Sequence, residues 1–182
     1  MINLDTNYTQ LLGNSEEILL DFSDKSVDLI LTDPPYDMSD DLKRFFHDQF
    51  LRISKQWIVV FMPPENQWIH PADQYLFWIK PISTKNTSRS YSRFVEMMFV
   101  YGKGTWNSDR HWSQYTNVFK DLVDNAKVHQ HRKPPSLIER LIRNHTNQND
   151  LILDPFCGSG VVGQVGLMLH RRVITIDKNG YE

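Results

Sequence analysis

Four consecutive residues, Asp33-Pro34-Pro35-Tyr36, have types that could do chemistry together. The Asp33 carboxylate is an acceptor-only group, and Pro34 contributes a carbonyl without an N–H beside it. Two acceptors side by side suit a substrate amino group with two N–H donors. Pro35 stiffens the loop, and the Tyr36 ring offers a flat face on which a planar base could stack. A proline-rigid turn with Asp33 as its cap would use the same four residues without a ligand.

A second group lies near the other end. Gly158-Ser159-Gly160-Val161-Val162-Gly163 is a literal G-x-G-x-x-G, and an acid, Asp177, follows 19 residues beyond Gly158. Glycines let backbone approach a ligand, and an acid at a strand end can bind ribose hydroxyls, so an adenosine-containing cofactor is expected. A tight strand-to-helix turn with no ligand is the plainer alternative. His129-x-His131 has no cysteine or nearby carboxylate partner and no H-E-x-x-H companion, which argues against a metal site. Tyr91, Trp106, Trp112 and Tyr115 are interleaved with basic residues, as base-stacking surfaces can be, although either tryptophan would equally pack a small hairpin.

The elements that must position these groups can be read from periodicity. Val27–Thr32 is a short apolar strand stopped by Pro34-Pro35. Positions 42, 45, 46, 50 and 53 are apolar at helical spacing, which predicts a helix from Asp40 to Ser54 with Ser39 as N-cap and two acids in its first turn. Trp57–Met62, Tyr75–Lys80 and Phe94–Tyr101 read as further strands. Ser136 and Glu139 have capping-box spacing before the helix face of Leu137, Ile138, Leu141 and Ile142. Leu151–Leu153 reads as a strand, residues 154–160 as a loop, Val161–Leu169 as a helix ended by His170, Arg171 and Arg172, and Val173–Ile176 as a strand. Strand–helix–strand units of this kind predict a parallel sheet covered on both faces.

Composition narrows the class. The chain has 182 residues, 40% hydrophobic, 23% charged and 12% aromatic, with one cysteine. That is the profile of one globular domain over 1–182, and it excludes an intramolecular disulfide and a multi-cysteine zinc site. No apolar run approaches the roughly 18 residues of a membrane span, and the first residues have neither the basic start nor the apolar stretch of a signal peptide. A cytoplasmic protein is expected. The net charge of −2 hides an asymmetry: from Lys80 to His145 there are twelve Lys and Arg against five Asp and Glu. A basic middle in an acidic frame is the pattern of a phosphate-binding surface, or of a lopsided solvated one.

Taken together, these motifs resemble the DNA amino-methyltransferases that act on adenine N6 or cytosine N4, in the permuted group whose catalytic motif precedes the cofactor motif. The resemblance runs through SVDLILTDPPYD (26–37), WIKP (78–81), RFVEMMFVYGKG (93–104), HQHRKPPSLIERLI (129–142), DLILDPFCGSG (150–160) and RRVITIDKNGY (171–181). It implies a doubly wound, mostly parallel Rossmann-like sheet with one antiparallel strand and helices on both faces.

The resemblance also implies the site. Asp154, Phe156, Cys157, Gly158, Ser159 and Gly160 would line the S-adenosylmethionine pocket, with Asp177 on the ribose hydroxyls and Lys133 and Pro134 at the methionine end. Asn14 stands where the family usually has an Asp near the adenine. Asp33 and the Pro34 carbonyl would accept from the target amino group, and Tyr36 would stack on the flipped base. Cys157 follows Phe156, so the Pro-Cys nucleophile of cytosine C5 methylation is missing, and a buried or loop-lining thiol is expected. Val161 replaces the usual Thr after GSG, and His131 and Arg132 replace commoner small and amide residues. Only about two dozen residues, roughly 105–128, stand where relatives carry a larger target-recognition region.

The expected partner is DNA, contacted by Lys85, Arg89, Arg93, Arg110, Lys120 and Lys127. A homodimer, a restriction enzyme or a separate specificity subunit would be further partners. Adenine N6 is the expected target and cytosine N4 the near alternative. A nicotinamide-dependent oxidoreductase would share G-x-G-x-x-G but leave DPPY unexplained, and an inactive DNA-binding half-enzyme would suit the short 105–128 segment.

Overall fold

The computed structural model describes residues 6–80, 94–107, 111–120 and 132–179. Strand β2 (Val27–Thr32) is buried along its whole length, Asp28 and Thr32 included, as a central strand must be when both sheet faces are covered. Helix α2 (Asp40–Ile53) starts at Ser39, whose hydroxyl accepts from Leu42 N at 3.3 Å, with Asp40 and Asp41 in the first turn. Strand β3 (Ser54–Met62) follows directly. Strands β4 (Gln74–Ile79), β5 (Val95–Gly102) and the two-residue β6 (Val118–Phe119) come next, then helix α3 (Pro135–His145), strand β7 (Leu151–Asp154), helix α4 (Val161–Met168) and strand β8 (Arg172–Asp177). An N-terminal strand, β1 (Tyr8–Leu12), and a four-residue helix, α1 (Ser15–Ile18), precede them.

Two local expectations need correction. Helix α3 begins at Pro135, not after a Ser136 cap; Pro134 is the N-cap residue and makes no side-chain cap bond. Proline has no N–H and a preset φ, so Pro135 starts the helix with one fewer donor to satisfy. Arg172 is not at a helix end either. It opens β8 and donates through Nε to Asn149 O at 2.8 Å.

The eight described strands form one sheet in the order β1-β8-β7-β2-β3-β5-β4-β6. Every described pairing is parallel except those of β5, which runs antiparallel to both β3 and β4. This is the mostly parallel α/β sheet with one antiparallel strand. Alternation along the strands divides the core in two. Leu29, Leu31, Val59 and Phe61 pack with Leu137, Ile138 and Leu141 of α3 and Val161, Val162 and Val165 of α4. Ile30, Ile58 and Val60 pack on the other face with Phe46, Phe50 and Ile53 of α2. Truncating one of the buried Leu, Ile or Phe side chains among these to Ala typically costs about 2–5 kcal/mol.

Parallel direction determines what meets at the carboxyl edge. The ends of β2, β7 and β8 lie side by side there and deliver Asp33, Asp154 and Asp177. Antiparallel β5 brings its beginning to the same edge, where Met97 pairs with Met62 and Glu96 with Trp78, so Glu96 sits one residue from the end of β3.

At its far end β5 depends on a glycine. Gly102 has φ 97, and a Cβ there would lie 2.0 Å from the Gln56 carbonyl oxygen. Gly102→Ala is expected to lower unfolding stability by about 2–4 kcal/mol, from left-handed strain plus a backbone clash. Urea denaturation checks this; a loss within experimental error would mean that β3 and β5 are not held this closely.

Candidate active site

Asp33 leaves the end of β2 with its side chain 31% exposed to a cavity of about 670 Å³. The same cavity is lined by Pro34, Pro35 and Tyr36, by Asn14 and Glu16, by Phe156 and Gly158, and by Ile176, Asp177 and Lys178. Its size lies within the range of small-molecule sites. It opens at the carboxyl edge, where ligands of open α/β sheets bind. The structure therefore brings the Asp-Pro-Pro-Tyr loop and the glycine loop with Asp177 to one cavity.

Behind Asp33 lies a network of buried charges. Lys133 Nζ donates to Asp33 Oδ2 at 2.5 Å and lies 2.7 Å from Glu96 Oε1, while Lys80 Nζ lies 2.6 Å from Glu96 Oε2. The Tyr36 hydroxyl is 3.1 Å from Asp33 Oδ1 and 3.3 Å from Glu96 Oε1, so its single proton serves one carboxylate or the other. Burial alone would strip the proton from Lys133, but Asp33 and Glu96 outweigh it and hold the ammonium well above the usual lysine range. Burial would likewise neutralise Glu96, but Lys133 and Lys80 hold it below the usual carboxylate range. For Asp33 burial prevails. Its carboxyl is pushed up, with Lys133 pulling it down and Glu96 adding to the rise. The Tyr36 phenol is pushed up by burial and by Asp33.

Asp154 is buried behind the cavity wall. It accepts from the Thr32 hydroxyl at 2.8 Å and from Phe156 N at 3.2 Å, tying the end of β7 and its loop to β2. Burial pushes its carboxyl up to about 7 despite both bonds. Asp177 Oδ2 accepts from Gly158 N at 3.1 Å and from the Cys157 thiol at 3.7 Å. Cys157 is buried, and Gly160, at φ 69, is the N-cap residue of α4. Asn14 caps α1, accepting from Glu16 N at 3.3 Å, and the Ser15 hydroxyl donates to Pro155 O at 2.6 Å. Asn14, Phe156, Gly158 and Asp177 thus line the cavity; Asp154, Cys157, Ser159 and Gly160 are not among its lining residues. Lys133 stands behind Asp33 rather than in the cavity wall.

Residues that were not singled out from sequence support this loop. Asn66 Nδ2 donates to Tyr36 O at 2.7 Å, and nearby Trp68 Nε1 donates to His47 Nδ1 at 3.1 Å, pinning the segment after β3 to α2. Glu96 carries the one signal that sequence could have given: an acid inside an otherwise apolar strand. Of the basic residues expected on DNA, Lys120 is exposed just past β6, and Lys85, Arg89, Arg93, Arg110 and Lys127 lie outside the described residues, as do Tyr91, His129 and His131. Trp106, 41% exposed, packs against Trp57 of β3, Tyr115 and His145 of α3 rather than within a hairpin, whereas Trp112 is 70% exposed.

A family model described as DNA methylase (N6_N4_Mtase) matches residues 58–182. The Type II methyltransferase M.HpaI of Haemophilus parainfluenzae is 26% identical, over 93% of this chain and 69% of its own. Among solved structures, PvuII DNA methyltransferase (cytosine-N4-specific) superposes with a TM-score of 0.79 at 16% identity, covering 94% of this chain and 82% of its own. The complex of M1.HpyAVI with SAM gives 0.75 at 24% identity, covering 95% and 94%. At these identities the two structures speak for the fold.

The raised Asp154 carboxyl makes a prediction about stability. Its folded-state pKa lies above its unfolded one, so its contribution is present below about pH 4 and is lost as pH rises toward about 7. The loss is on the order of 4 kcal/mol. Asp154→Asn, which keeps an acceptor for Thr32 and Phe156 N, is expected to gain on the parent as pH rises from 4 to 8. Urea titrations at several pH values measure the difference, and a pH-independent difference would contradict the assignment.

Proposed function

The chain belongs to the N6/N4 DNA methylase family, and we propose that it transfers a methyl group from S-adenosylmethionine to an exocyclic amino group of a DNA base, adenine N6 in the first place. The observation that carries this reading is the shared cavity: Asp33–Tyr36 line one wall and Phe156, Gly158 and Asp177 another.

The residues present fit the cofactor. Gly158 has φ 43, and the space where a Cβ would stand is open, so a ligand can come up against the backbone. Asp177 lines the cavity with acceptor capacity beyond Gly158 N, Cys157 and Asn179 N, enough for ribose hydroxyls. Phe156, Phe46 and Ile176 give apolar walls for an adenine ring. S-adenosylmethionine would supply an electrophilic sulfonium methyl.

The chain's own part is positioning and electrostatics. Asp33 and the Pro34 carbonyl accept the two N–H groups of the target, which reduces the conjugation of its nitrogen with the ring and aims the lone pair. Pro35 keeps the loop rigid and Tyr36 stacks on the extruded base. Asn14 stands on the adenosine side. Lys120, with Lys85, Arg89, Arg93, Arg110 and Lys127, would neutralise backbone phosphates. Cytosine N4 is the second reading, favoured by the likeness to the cytosine-N4-specific PvuII fold; the same acceptors would serve it.

Incubation with methyl-tritiated S-adenosylmethionine and unmethylated DNA, followed by digestion to nucleosides, tests the proposal. Label is expected in N6-methyladenine. Label in N4-methylcytosine would establish the second reading, and label at cytosine C5 or in neither nucleoside would contradict both. Asp33→Ala should abolish turnover with cofactor affinity nearly intact. Asp177→Ala should weaken cofactor binding by about 1.5–3 kcal/mol for each charge-assisted bond lost, as read by calorimetry.

A further inference from the structure

Glu96 and Lys80 have no role in the reaction above, although Glu96 lies 3.3 Å from the Tyr36 hydroxyl and both are built into the same end of the sheet. Glu96 is 2% exposed inside the apolar strand β5, where a lone carboxylate would be very costly. It sits between two cations, Lys80 at 2.6 Å and Lys133 at 2.7 Å. Lys133 in turn lies between two anions, Asp33 and Glu96, with side-chain exposures of 31% and 3%. Only one of those two carboxylates therefore opens on the cavity.

An ammonium has three protons and no acceptor. The protons of Lys133 are directed at Asp33 Oδ2, Glu96 Oε1 and, at 3.2 Å, the Tyr36 hydroxyl. A carboxylate oxygen has two lone pairs, so a target amino group that takes Asp33 Oδ2 shares that oxygen with Lys133 or displaces one of these protons. Were Asp33 the sole anion on Lys133, that displacement would strand a buried cation, at the cost that breaking a buried pair carries. Glu96 stays behind as the remaining anion, and Lys80 keeps Glu96 itself compensated.

We propose that Glu96 is a positioning residue for methyl transfer: with Lys80 it holds the Lys133 ammonium behind Asp33, so that the target amino group can take Asp33 Oδ2 while Lys133 stays ion-paired. The inference rests on the reading of Asp33 as the acceptor of that amino group. It also gives the network an electrostatic signature. Lys133 pulls the Asp33 carboxyl down and Glu96 pushes it up, so their removal moves Asp33 in opposite directions. The other groups around it are Tyr36 on its own loop, Asp154 from β7, Lys80 beyond Glu96, and the cavity-lining Glu16, Asp37, Asp177 and Lys178. All of these are common to the parent and to the Lys133 and Glu96 variants, so the direction of the shift is the readout.

The test is the pH profile of kcat/KM for DNA, with cofactor affinity followed by calorimetry. Lys133→Met is expected to move the acid limb to higher pH. Glu96→Gln is expected to move it to lower pH and to raise KM for DNA tenfold or more, with cofactor affinity within twofold of the parent. Glu96→Asp should recover part of the loss. If Glu96→Gln does not fold, Lys80→Met replaces it and should move the limb to higher pH, because it leaves Glu96 less neutralised. Limbs that stay in place, or that move the same way in Lys133→Met and Glu96→Gln, overturn the proposal while leaving methyl transfer standing. A parent protein that methylates no DNA amino group overturns the underlying reading, and the proposal with it.

Discussion

A lysine with only 5% of its surface exposed stays charged in a protein interior only where carboxylates face it. Lys133 meets that constraint with Asp33 on one side and Glu96 on the other, and much of the architecture around the cavity serves to bring the three together. Asp33 comes from the end of β2, Glu96 from the beginning of β5 and Lys133 from the segment leading into α3. Were β5 parallel to its neighbours, its first residues would lie at the opposite edge of the sheet, some 20–25 Å away at about 3.3 Å per residue. Among the described strands, the reversed direction of β5 is thus what lets the second carboxylate reach the site. Lys80, just past the end of β4, completes the balance because β4 runs against β5.

The remaining acids at this edge show how position divides similar groups. Asp33, Asp154 and Asp177 all terminate or follow parallel strands, yet their surroundings differ. Asp33 faces an ammonium and the cavity. Asp177 holds the glycine loop through Gly158 N and keeps a face to the cavity. Asp154 has hydrogen-bond donors but, among the described residues, no cation beside it, and its carboxyl is raised toward neutrality. A carboxylate buried without a counter-charge tends to take up a proton, which suits a joint between two strands better than an acceptor for substrate.

The elements with long apolar runs were legible in the sequence. β2, β3, β7, α2 and α4 lie within a few residues of the spans that periodicity gives, because their burial dominates local preference. β1 and β6 were not. Tyr8–Leu12 has no alternating pattern, and a two-residue bridge leaves none to read. Ser136 failed as a cap because Pro135 had already begun the helix, with Pro134 as its N-cap residue. The two motif loops were legible as chemistry, since residue types alone limit what a carboxylate, a proline carbonyl and positive-φ glycines can do. Partnerships across the fold were not. Lys133 and Asp33 are a hundred residues apart, and only the fold shows that they form an ion pair. The close approach of α4 to the sheet is likewise secured at Gly166, where a Cβ would meet Val173 at 2.6 Å, a position outside the literal glycine motif.

The account turns on one cavity serving both the cofactor and the Asp33 loop. Hydrogen–deuterium exchange with and without S-adenosylmethionine tests that most directly, because it needs no knowledge of the DNA site. Slowed exchange is expected in three separate stretches: residues 14–16, 33–39 and 155–158, with Asp177 and Lys178 joining them. Protection confined to one stretch, or centred elsewhere on the sheet, would contradict a shared site.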